Sequence, residues 1–399
     1  MSGLDVELRR ELAAIQKDAL LRELHRVDSS QSRCIEIDGR PFLNFSSNDY
    51  LGLSNHPALK EAATRAVAKF GVGAGSSRLV CGSLAPHHEL EEMLAVFKGT
   101  EAAISFPTGY AAALGAITSV AGKDDVVILD KLVHACIVDA ARLSGAKLRV
   151  FIHNDLSDLE RKLEWARDLP FVSSKSRRRI LILTESIFSM DGDLAALRDI
   201  ADLKDKYGAW LMVDEAHATG LFGENRRGLA EEFGVADRIE IQMGTLSKAC
   251  GAAGGYICGS RSLIDLLVNR ARSFIFSTAP VPAAVAAARA GIGVIQSAEG
   301  EILRQRLWAI VDLLKSELIK AGWALPPIRS AILPLLVGKE TEAVSIATAL
   351  RARGVFVPAI RYPTVARGKA RLRLTASAAH TAADVTEIVN ALTAAKTGN

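Results

Sequence analysis

Short apolar runs alternate with helix-like stretches through the middle of the chain, and this alternation limits the fold more than any other feature of the sequence. The apolar runs are 102–106, 126–129, 148–152, 180–184, 210–213, 239–243 and 255–258. Between them lie stretches with helical character, such as 87–98, 110–120 and 194–207. Strands buried on both faces have continuous apolar sequences, and the intervening helices cover those faces. The pattern therefore predicts an α/β fold with a mostly parallel central sheet.

The sequence on either side of this region has a different pattern of apolar and polar residues. Residues 5–26 carry leucine and isoleucine at near-helical spacing among charges, which predicts an amphipathic helix. Alternation at 34–37, followed by Asp38-Gly39, predicts a hairpin. An alanine-rich helical region follows Pro280-Val281-Pro282, and shorter strand candidates come after it at 332–337, 355–358 and 372–374. The domains are predicted to be an N-terminal helix and arm at 1–55, a large α/β domain at 56–285 and a small C-terminal α+β domain at 286–399.

Composition excludes several classes of protein. Lys plus Arg number 49 and Asp plus Glu 45, a near balance that gives no sign of a nucleic-acid partner. The densest basic run, residues 175–179, is interpreted as a solvated loop edge. The five cysteines lack metal-type spacing, which favours free thiols in a reducing compartment and predicts no metal site. With neither a signal-peptide pattern nor an apolar segment of the ~20 residues that span a bilayer, the chain is expected to be cytoplasmic, without a membrane partner.

Two of the predicted strands end in residues with reactive side chains. The run at 210–213 leads directly into Asp214-Glu215-Ala216-His217, and the run at 239–243 leads to Thr245, Ser247 and Lys248. In open α/β sheets, ligands bind at the carboxyl ends of the strands. Pyridoxal 5′-phosphate (PLP) requires a lysine for a Schiff base and a carboxylate that keeps its ring nitrogen protonated. Lys248 and Asp214 are the residues predicted to meet these requirements.

These two residues also have ordinary interpretations. Asp214 could cap a helix that follows the strand, and Lys248 could be a surface lysine. The tetrapeptide at 214–217 also occurs in helicases, but no phosphate-binding Gly-Lys-Thr loop precedes it here. The glycines that follow Lys248, at 251, 254 and 255, favour the cofactor interpretation because they indicate a close approach of the backbone to another group.

Other residues could contact the phosphate and the ring of such a cofactor. The backbone amides of Gly109 and Tyr110 lie at a probable helix start, where phosphate binds well, and Thr245 offers a hydroxyl. An ordinary strand-to-helix turn is the alternative at 108–110. His134 precedes a helical stretch, where an imidazole could stack on the ring and polarise a substrate carbonyl or simply cap the helix.

Five motifs, in order along the chain, resemble those of the α-oxoamine synthases. They are Asn48-Asp49-Tyr50-Leu51-Gly52, the segment 185–192, Asp214-Glu215-Ala216-His217, Thr245-Leu246-Ser247-Lys248 and Arg371-Leu372-Arg373-Leu374-Thr375. The family consists of PLP enzymes of the fold-type I superfamily, which is aspartate aminotransferase-like. Segments 46–54 and 359–365 are most similar to members that condense L-alanine with a pimeloyl thioester, carried by CoA or an acyl-carrier protein, in biotin biosynthesis.

The resemblance implies a homodimeric acyltransferase with its active site at the subunit interface. It implies that Lys248 carries the cofactor and transfers protons, and that Asp214 pairs with the ring nitrogen. His134 would stack on the ring, and Ser186 and His217 would address the ring hydroxyl.

The same resemblance implies sets of residues for the phosphate and the substrates. The phosphate would be held by Thr245, by the amides of Gly109 and Tyr110, and by Ser277 and Thr278 of a neighbouring subunit. The substrate residues would be Arg373 and Asn48 at the amino acid carboxylate, and Arg22 and Thr364 on the acyl side.

Three alternative functions are considered, two with the same cofactor chemistry and one without catalysis. A relative that joins glycine to acetyl-CoA would differ only in pocket size. A serine-using synthase of long-chain products is disfavoured by the lack of membrane-associating segments. A PLP-fold binding or regulatory protein without turnover would not need the full set of Lys248, Asp214, His134 and Arg373.

Overall fold

The computed structural model describes residues 2–170, 178–327 and 329–397. Within these ranges the chain forms two compact units. The large unit comprises Leu53–Ser189 and Asp193–Arg304, and the small unit comprises Met1–Gly52, Met190–Gly192 and Gln305–Asn399.

The small unit begins with helix α1 (Gly3–Lys17), whose residues are all exposed. A capping box starts it, since Ser2 and Asp5 bind each other's backbone N–H groups. The helix predicted to reach residue 26 ends nine residues earlier, because Ala19 adopts a left-handed conformation with φ 57°. The helical spacing of the later leucines did not reveal this stop.

The predicted hairpin is confirmed as strands β1 (Cys34–Ile37) and β2 (Arg40–Asn44). Asp38 and Gly39 form its two-residue turn with φ of 52° and 70°. Positive φ at both positions is typical of the turn that matches the twist of paired strands.

A seven-stranded sheet forms the centre of the large unit. Its strands are β3 (Ala102–Phe106), β4 (Val126–Asp130), β5 (Lys147–Phe151), β6 (Ile180–Glu185), β7 (Trp210–Asp214), β8 (Ile241–Thr245) and β9 (Gly255–Gly259). Their order is β3-β9-β8-β7-β6-β4-β5, and only β9 runs antiparallel to its neighbours. The predicted mostly parallel sheet is confirmed, and β6, β7 and β8 end side by side at one edge.

Helices surround this sheet. They are α2 (Pro57–Phe70), α3 (Ala85–Lys98), α4 (Gly109–Val120), α5 (Ala135–Leu143), α6 (Leu156–Arg167), α7 (Leu197–Tyr207), α8 (Leu229–Glu232), α9 (Arg261–Arg270), α10 (Arg272–Ile275) and α11 (Pro282–Gln296). Helix α11 packs against α2 and α3 within the large unit, although the sequence pattern divides the domains at residue 285. Helix α12 (Ala298–Lys320) begins in the large unit and continues as part of the small unit.

The basic run at 175–179 is described only at its last two residues, because 175–177 lie outside the described ranges. Arg178 donates hydrogen bonds to the carbonyl oxygens of Asp124, Leu169 and Pro170. Arg179 donates to the carbonyl oxygen of Val120. Both guanidinium groups therefore tie neighbouring backbone segments together.

The rest of the small unit is α+β, as predicted. It contains β10 (Ile332–Gly338), α13 (Glu340–Ala352), β11 (Val355–Phe356), β12 (Ala359–Ile360), β13 (Ala370–Thr375) and α14 (Ala382–Thr397). Strands β10, β13 and β12 form an antiparallel sheet, while β11 pairs in parallel with β2. Across the ranges described, no helix combines the length and the apolar character needed to cross a bilayer.

Candidate active site

Lys248 and His217 are in contact at the carboxyl edge of the large sheet. Lys248 lies in the loop after β8 and is half-buried, and His217 lies in the turn after β7 and is buried. Lys248 Nζ is 2.7 Å from His217 Nε2. The contact arises because β7 and β8 are adjacent and parallel, so that the segments leaving them begin at the same edge. An amine and an imidazole that share a hydrogen bond can exchange a proton.

Asp214 is the last residue of β7, and its carboxyl group is buried. The residue is 6% exposed, and its Oδ1 accepts a hydrogen bond from the Ala216 N–H at 2.9 Å. No helix begins directly after it, since turns follow and the next helix starts at Leu229, so the helix-cap alternative is wrong. Burial raises the pKa of Asp214, and the positive charge of Lys248 opposes that rise. A buried carboxyl in this position fits a cationic partner such as a protonated ring nitrogen.

The sequence reasoning missed Glu185, which ends β6 beside Asp214 in the sheet register. Glu185 is buried, and its Oε1 has no hydrogen-bond partner among the residues that the structure describes. Burial raises the pKa of Glu185 to about 8, and the neighbouring Asp214 adds to the rise. The signal was present in the sequence as a lone acid at the end of the apolar run 180–184.

His134 caps helix α5, as its ordinary alternative proposed. Its Nδ1 accepts a hydrogen bond from the Cys136 N–H at 3.2 Å, and the Cys136 Sγ lies 3.0 Å from the same nitrogen. The residue as a whole is exposed. Protein packed around the ring nevertheless lowers the pKa of His134, while Asp214 opposes this effect. Capping the helix does not prevent the ring from contacting a bound group.

The start of α4 and the end of β8 form a small polar site. Thr108 caps α4 by accepting a hydrogen bond from the Ala111 N–H. A Cβ added to Gly109 would lie 3.6 Å from the Thr245 Cβ. Thr245 Oγ1 is 2.8 Å from Ser247 Oγ. Because the first N–H groups of a helix have no partner within it, this corner combines amides and hydroxyls that suit a phosphate dianion.

Glycine at position 255 is required for this corner. A Cβ added to Gly255 would lie 2.6 Å from both the Cα and the N of Gly109. The first residue of β9 therefore presses directly on the first residue of α4. Tyr110, the next residue of α4, is exposed and its hydroxyl donates to Asp139 at 2.7 Å.

The remaining predicted residues of the large unit lie in different surroundings. Ser186 is buried, and its hydroxyl donates to the carbonyl oxygen of Asp214 at 3.3 Å. Ser277 is half-buried and Thr278 is exposed, and the segment that carries them bridges to Ser77. The large unit thus brings Lys248, His217, Asp214 and Ser186 to one edge.

A second imidazole, His153, was also missed. It follows β5 and lies between two carboxylates, with Nδ1 2.9 Å from Asp130 Oδ1 and Nε2 2.7 Å from Asp193 Oδ2. Both ring nitrogens face acceptors, so both carry protons. These carboxylates raise the pKa of His153 to about 10 against the opposing effect of burial. The ring also makes an edge contact with Phe188, at 4.3 Å between centroids, and so fixes the segment that follows Glu185.

Arg373 and Asn48 meet within the small unit. The Arg373 guanidinium is buried and donates to Asn48 Oδ1 at 3.1 Å and to Thr375 Oγ1 at 3.0 Å. Tyr50 lies beside them; burial raises the pKa of Tyr50 to about 12, an effect that Arg373 opposes. A buried guanidinium held in place by neutral oxygens is suited to bind a carboxylate.

Arg22 lies against the loop that contains Thr364. Its guanidinium donates to the carbonyl oxygen of Tyr362 at 3.0 Å. In the opposite direction, Arg361 donates hydrogen bonds to the carbonyl oxygen of Leu21 at 3.2 Å and to that of Ala19. Thr364 is exposed, and its backbone N–H donates to the Arg361 carbonyl oxygen. The two residues predicted for the acyl side therefore belong to one connected surface.

Comparison with known proteins agrees with this arrangement. The family described as "Aminotransferase class I and II" matches residues 40–392. An 8-amino-7-oxononanoate synthase from Geotalea daltonii is 48% identical over 96% of this chain and 95% of its own length. One from Geobacter sulfurreducens is 46% identical over 96% of each chain.

Solved structures give the same result for the fold. A serine palmitoyltransferase from S. paucimobilis, solved with a bound PLP–myriocin aldimine, superposes with a TM-score of 0.92 at 30% identity, over 100% of this chain and 99% of that one. An 8-amino-7-oxononanoate synthase from Francisella tularensis has a TM-score of 0.74 at 26% identity, over 88% of this chain and 97% of that one.

The donor set fits PLP, since a lysine, a buried carboxyl and a helix start whose first N–H groups suit a phosphate all lie in the large unit. PLP is the cofactor that the family match and the PLP-bound structural neighbours indicate. This chain belongs to the class I and II aminotransferase family, the fold-type I PLP enzymes, within the α-oxoamine synthase branch that includes the 8-amino-7-oxononanoate synthases.

Proposed function

We propose that this protein is a PLP-dependent acyltransferase that condenses L-alanine with a pimeloyl thioester, on CoA or an acyl-carrier protein, in biotin biosynthesis. The products are 8-amino-7-oxononanoate, CO2 and the free thiol. A bond forms between the alanine Cα and the thioester carbonyl carbon, the C–S bond breaks, and the alanine carboxylate leaves as CO2. Two relatives of that name, 48% and 46% identical over 96% of the chain, are the observation that carries the proposal.

Bound PLP supplies an electron sink that stabilises negative charge at the alanine Cα. Lys248 would hold the cofactor covalently, and its free amine would serve as the base that removes the proton from the alanine Cα. His217, 2.7 Å from that amine, orients it and can take up or return a proton. Asp214 provides the buried negative charge that keeps the ring nitrogen protonated.

Other groups of the large unit position the cofactor. The amides of Gly109 and Tyr110 and the hydroxyl of Thr245 bind its phosphate. His134 would lie against the ring and would donate a hydrogen bond to the thioester carbonyl. Ser186 orders the backbone of Asp214 through the contact with its carbonyl oxygen.

Residues of the small unit select the substrates. Arg373 binds the alanine carboxylate in a bidentate manner with Asn48 beside it, since its guanidinium is already held by neutral oxygens. Arg22 and Thr364 contact the acyl chain or its carrier. The loop that contains Thr364 is held against the segment that contains Arg22 by hydrogen bonds from Arg22 to the Tyr362 carbonyl oxygen and from Arg361 to the Leu21 carbonyl oxygen.

The enzyme acts as a homodimer in the cytoplasm under this proposal. Ser277 and Thr278 then complete the phosphate site of the neighbouring subunit. The exposed Phe276, with 70% of its surface accessible, lies directly beside them and is a residue that a subunit contact would bury.

One alternative has its own support. The serine palmitoyltransferase structures superpose on this chain at TM-scores up to 0.92, which favours serine and a long acyl chain. Their sequence identity is 30–31%, well below the 48% and 46% of the 8-amino-7-oxononanoate synthases from Geotalea daltonii and Geobacter sulfurreducens. A 2-amino-3-oxobutyrate CoA ligase activity, from glycine and acetyl-CoA, would use the same catalytic residues.

Thiol release by the purified, PLP-loaded protein separates these activities. Alanine, glycine and serine are each paired with pimeloyl-, acetyl-, succinyl- and palmitoyl-CoA. We expect turnover with alanine and pimeloyl-CoA, because a pocket for a chain that ends in a carboxylate disfavours short and uncharged chains. Preferred turnover of serine with palmitoyl-CoA, or of glycine with acetyl-CoA, would replace the proposed substrates while leaving the mechanism in place.

A further inference from the structure

The protonation state of His134 is determined by the way in which it caps α5. The cap bond runs from the Cys136 N–H to His134 Nδ1 over 3.2 Å. A backbone N–H can only donate, so Nδ1 must be the acceptor and carries no proton while this bond exists. Turning the ring over would place Cδ2–H against the N–H and leave the helix start without its cap. The remaining proton of a neutral ring is therefore on Nε2.

The Cys136 side chain supports the same arrangement. Its Sγ is 3.0 Å from Nδ1, and the residue is buried. Burial raises the pKa of Cys136, so the thiol keeps its proton and can donate to Nδ1 as a second donor. Protonating Nδ1 would break the cap bond, because the ring N–H and the Cys136 backbone N–H would then face each other as two donors.

The charges around His134 do not reverse this preference. The positive end of α5, a nine-residue helix, faces the ring and disfavours an imidazolium. Lys248 acts in the same direction, and Asp214 and Asp139 act against it. The backbone N–H of His134 points to Glu185, whose carboxyl has its pKa raised to about 8 by burial and so loses negative charge near neutral pH. The groups that face His134 are Asp214 after β7, Lys248 after β8, Glu185 at the end of β6, and Asp139 and Cys136 on α5 itself.

We propose that His134 acts as a neutral imidazole whose proton is fixed on Nε2, and that the first turn of α5 holds it in this form. It then polarises the substrate carbonyl by donating a hydrogen bond from Nε2–H, and transfers no proton to it. Only the identity of that carbonyl rests on the proposed function. Cys136 is a positioning residue in this arrangement, since it acts through the imidazole.

The tautomer can be measured in the resting enzyme without any substrate. Nitrogen NMR of the PLP-loaded protein, labelled with ¹⁵N-histidine, distinguishes protonated from unprotonated ring nitrogens. The signals of His134 are those that a His134→Gln variant lacks. We expect an unprotonated Nδ1 and a protonated Nε2 from about pH 6 to pH 9, whereas His153 in the same spectrum has both nitrogens protonated at neutral pH. A proton on the Nδ1 of His134 at neutral pH would overturn the inference.

A kinetic readout tests the chemical role. The ratio of wild-type kcat to that of His134→Gln cancels the titration of Lys248, Glu185 and other shared groups. A neutral donor predicts that this ratio stays constant between about pH 7 and pH 9. An imidazolium acid would make it fall by about tenfold per pH unit above the pKa of the histidine. His134→Asn serves as the matched variant, because its Oδ1 keeps the α5 cap while the Nε2–H is lost; we expect it to fold like the wild type with the kcat of His134→Ala.

The two measurements separate failure of this inference from failure of the proposed function. If the thiol-release assay finds other substrates, the NMR result still decides the state of His134. If the assay finds the expected substrates and the spectrum shows an imidazolium, the function stands and the inference falls.

Discussion

Replacing His153 by glutamine is expected to destabilise the protein in a way that depends strongly on pH. The His153 ring bridges Asp130, which is fully buried, and Asp193. Through these two bonds it joins the end of β4 to the segment that follows Glu185. Glutamine can offer an N–H to one carboxylate but has no positive charge, so both carboxylates lose their cation.

The size of the effect follows from the pKa. Holding the imidazolium raises the pKa of His153 from 6.5 to about 10. At about 1.4 kcal/mol per pH unit this corresponds to roughly 5 kcal/mol of unfolding free energy. The His153 side chain is 22% exposed and that of Asp193 is 33% exposed, so solvent screens part of the interaction. We expect about 2–3 kcal/mol after this screening.

The direction of the pH dependence is also defined. A group whose pKa is higher in the folded state stabilises the fold fully below its unfolded pKa, here 6.5. The stabilisation is lost as the pH rises through the folded value of about 10. The free energy of unfolding of the wild type should therefore exceed that of His153→Gln most at about pH 6, and this difference should shrink steadily towards about pH 10.

Urea unfolding of the PLP-loaded proteins, followed by circular dichroism at one protein concentration and several pH values, measures this difference. His88→Gln is the matched control, because His88 is exposed and its Nε2 lies 2.9 Å from a neutral partner, the Ser83 hydroxyl. It should behave like the wild type at every pH. A destabilisation by His153→Gln that is the same at about pH 6 and pH 9 would refute the assignment of a bridging cation.

Three further predictions concern the cofactor and the substrate. Lys248→Ala should abolish turnover and the covalent attachment of PLP, which mass spectrometry after borohydride treatment detects; substantial retained turnover would contradict the assignment. Arg373→Ala should raise the KM for alanine by roughly 10–100-fold with little change for the thioester, because a charge-assisted bond of about 1.5–3 kcal/mol is lost; equal effects on both substrates would argue against a carboxylate contact. Gly255→Ala should weaken PLP binding at least about tenfold, because the added Cβ displaces the start of α4. Gly293→Ala in α11 is the control and should leave PLP binding unchanged, because no neighbouring atom lies within 4 Å of its added Cβ. Unchanged PLP affinity in Gly255→Ala would show that this close approach is not required.

The central sheet was predictable because its signal is local. Most of the buried strands are largely apolar runs, and Asp214 and Lys248 were identifiable because they lie at or shortly after the ends of two of those runs. Glu185 carried the same signal at the end of β6 but was passed over as part of a motif.

Other features depend on distances that a sequence does not contain. The bridge from His153 to Asp193 spans 40 residues and exists only because β5 lies next to β4 and β4 next to β6. The stop of α1 depends on one alanine in a left-handed conformation, which its residue type disfavours. The cap role of His134 was foreseen as an alternative, but its consequence for the ring proton required the bond to Cys136.

The predicted cofactor residues all belong to the large unit, and the predicted substrate residues, Asn48, Arg373, Arg22 and Thr364, all belong to the small unit. Under the proposed assignment, the residues that bind PLP and those that bind the substrates are encoded in separate stretches of the gene. On that assignment, we expect substitutions in the small unit to alter the preferred amino acid or acyl chain without disturbing the groups proposed to bind PLP. Such a division allows one catalytic apparatus to give rise to enzymes with different substrates, and it directs efforts to engineer selectivity to residues 2–52 and 305–397.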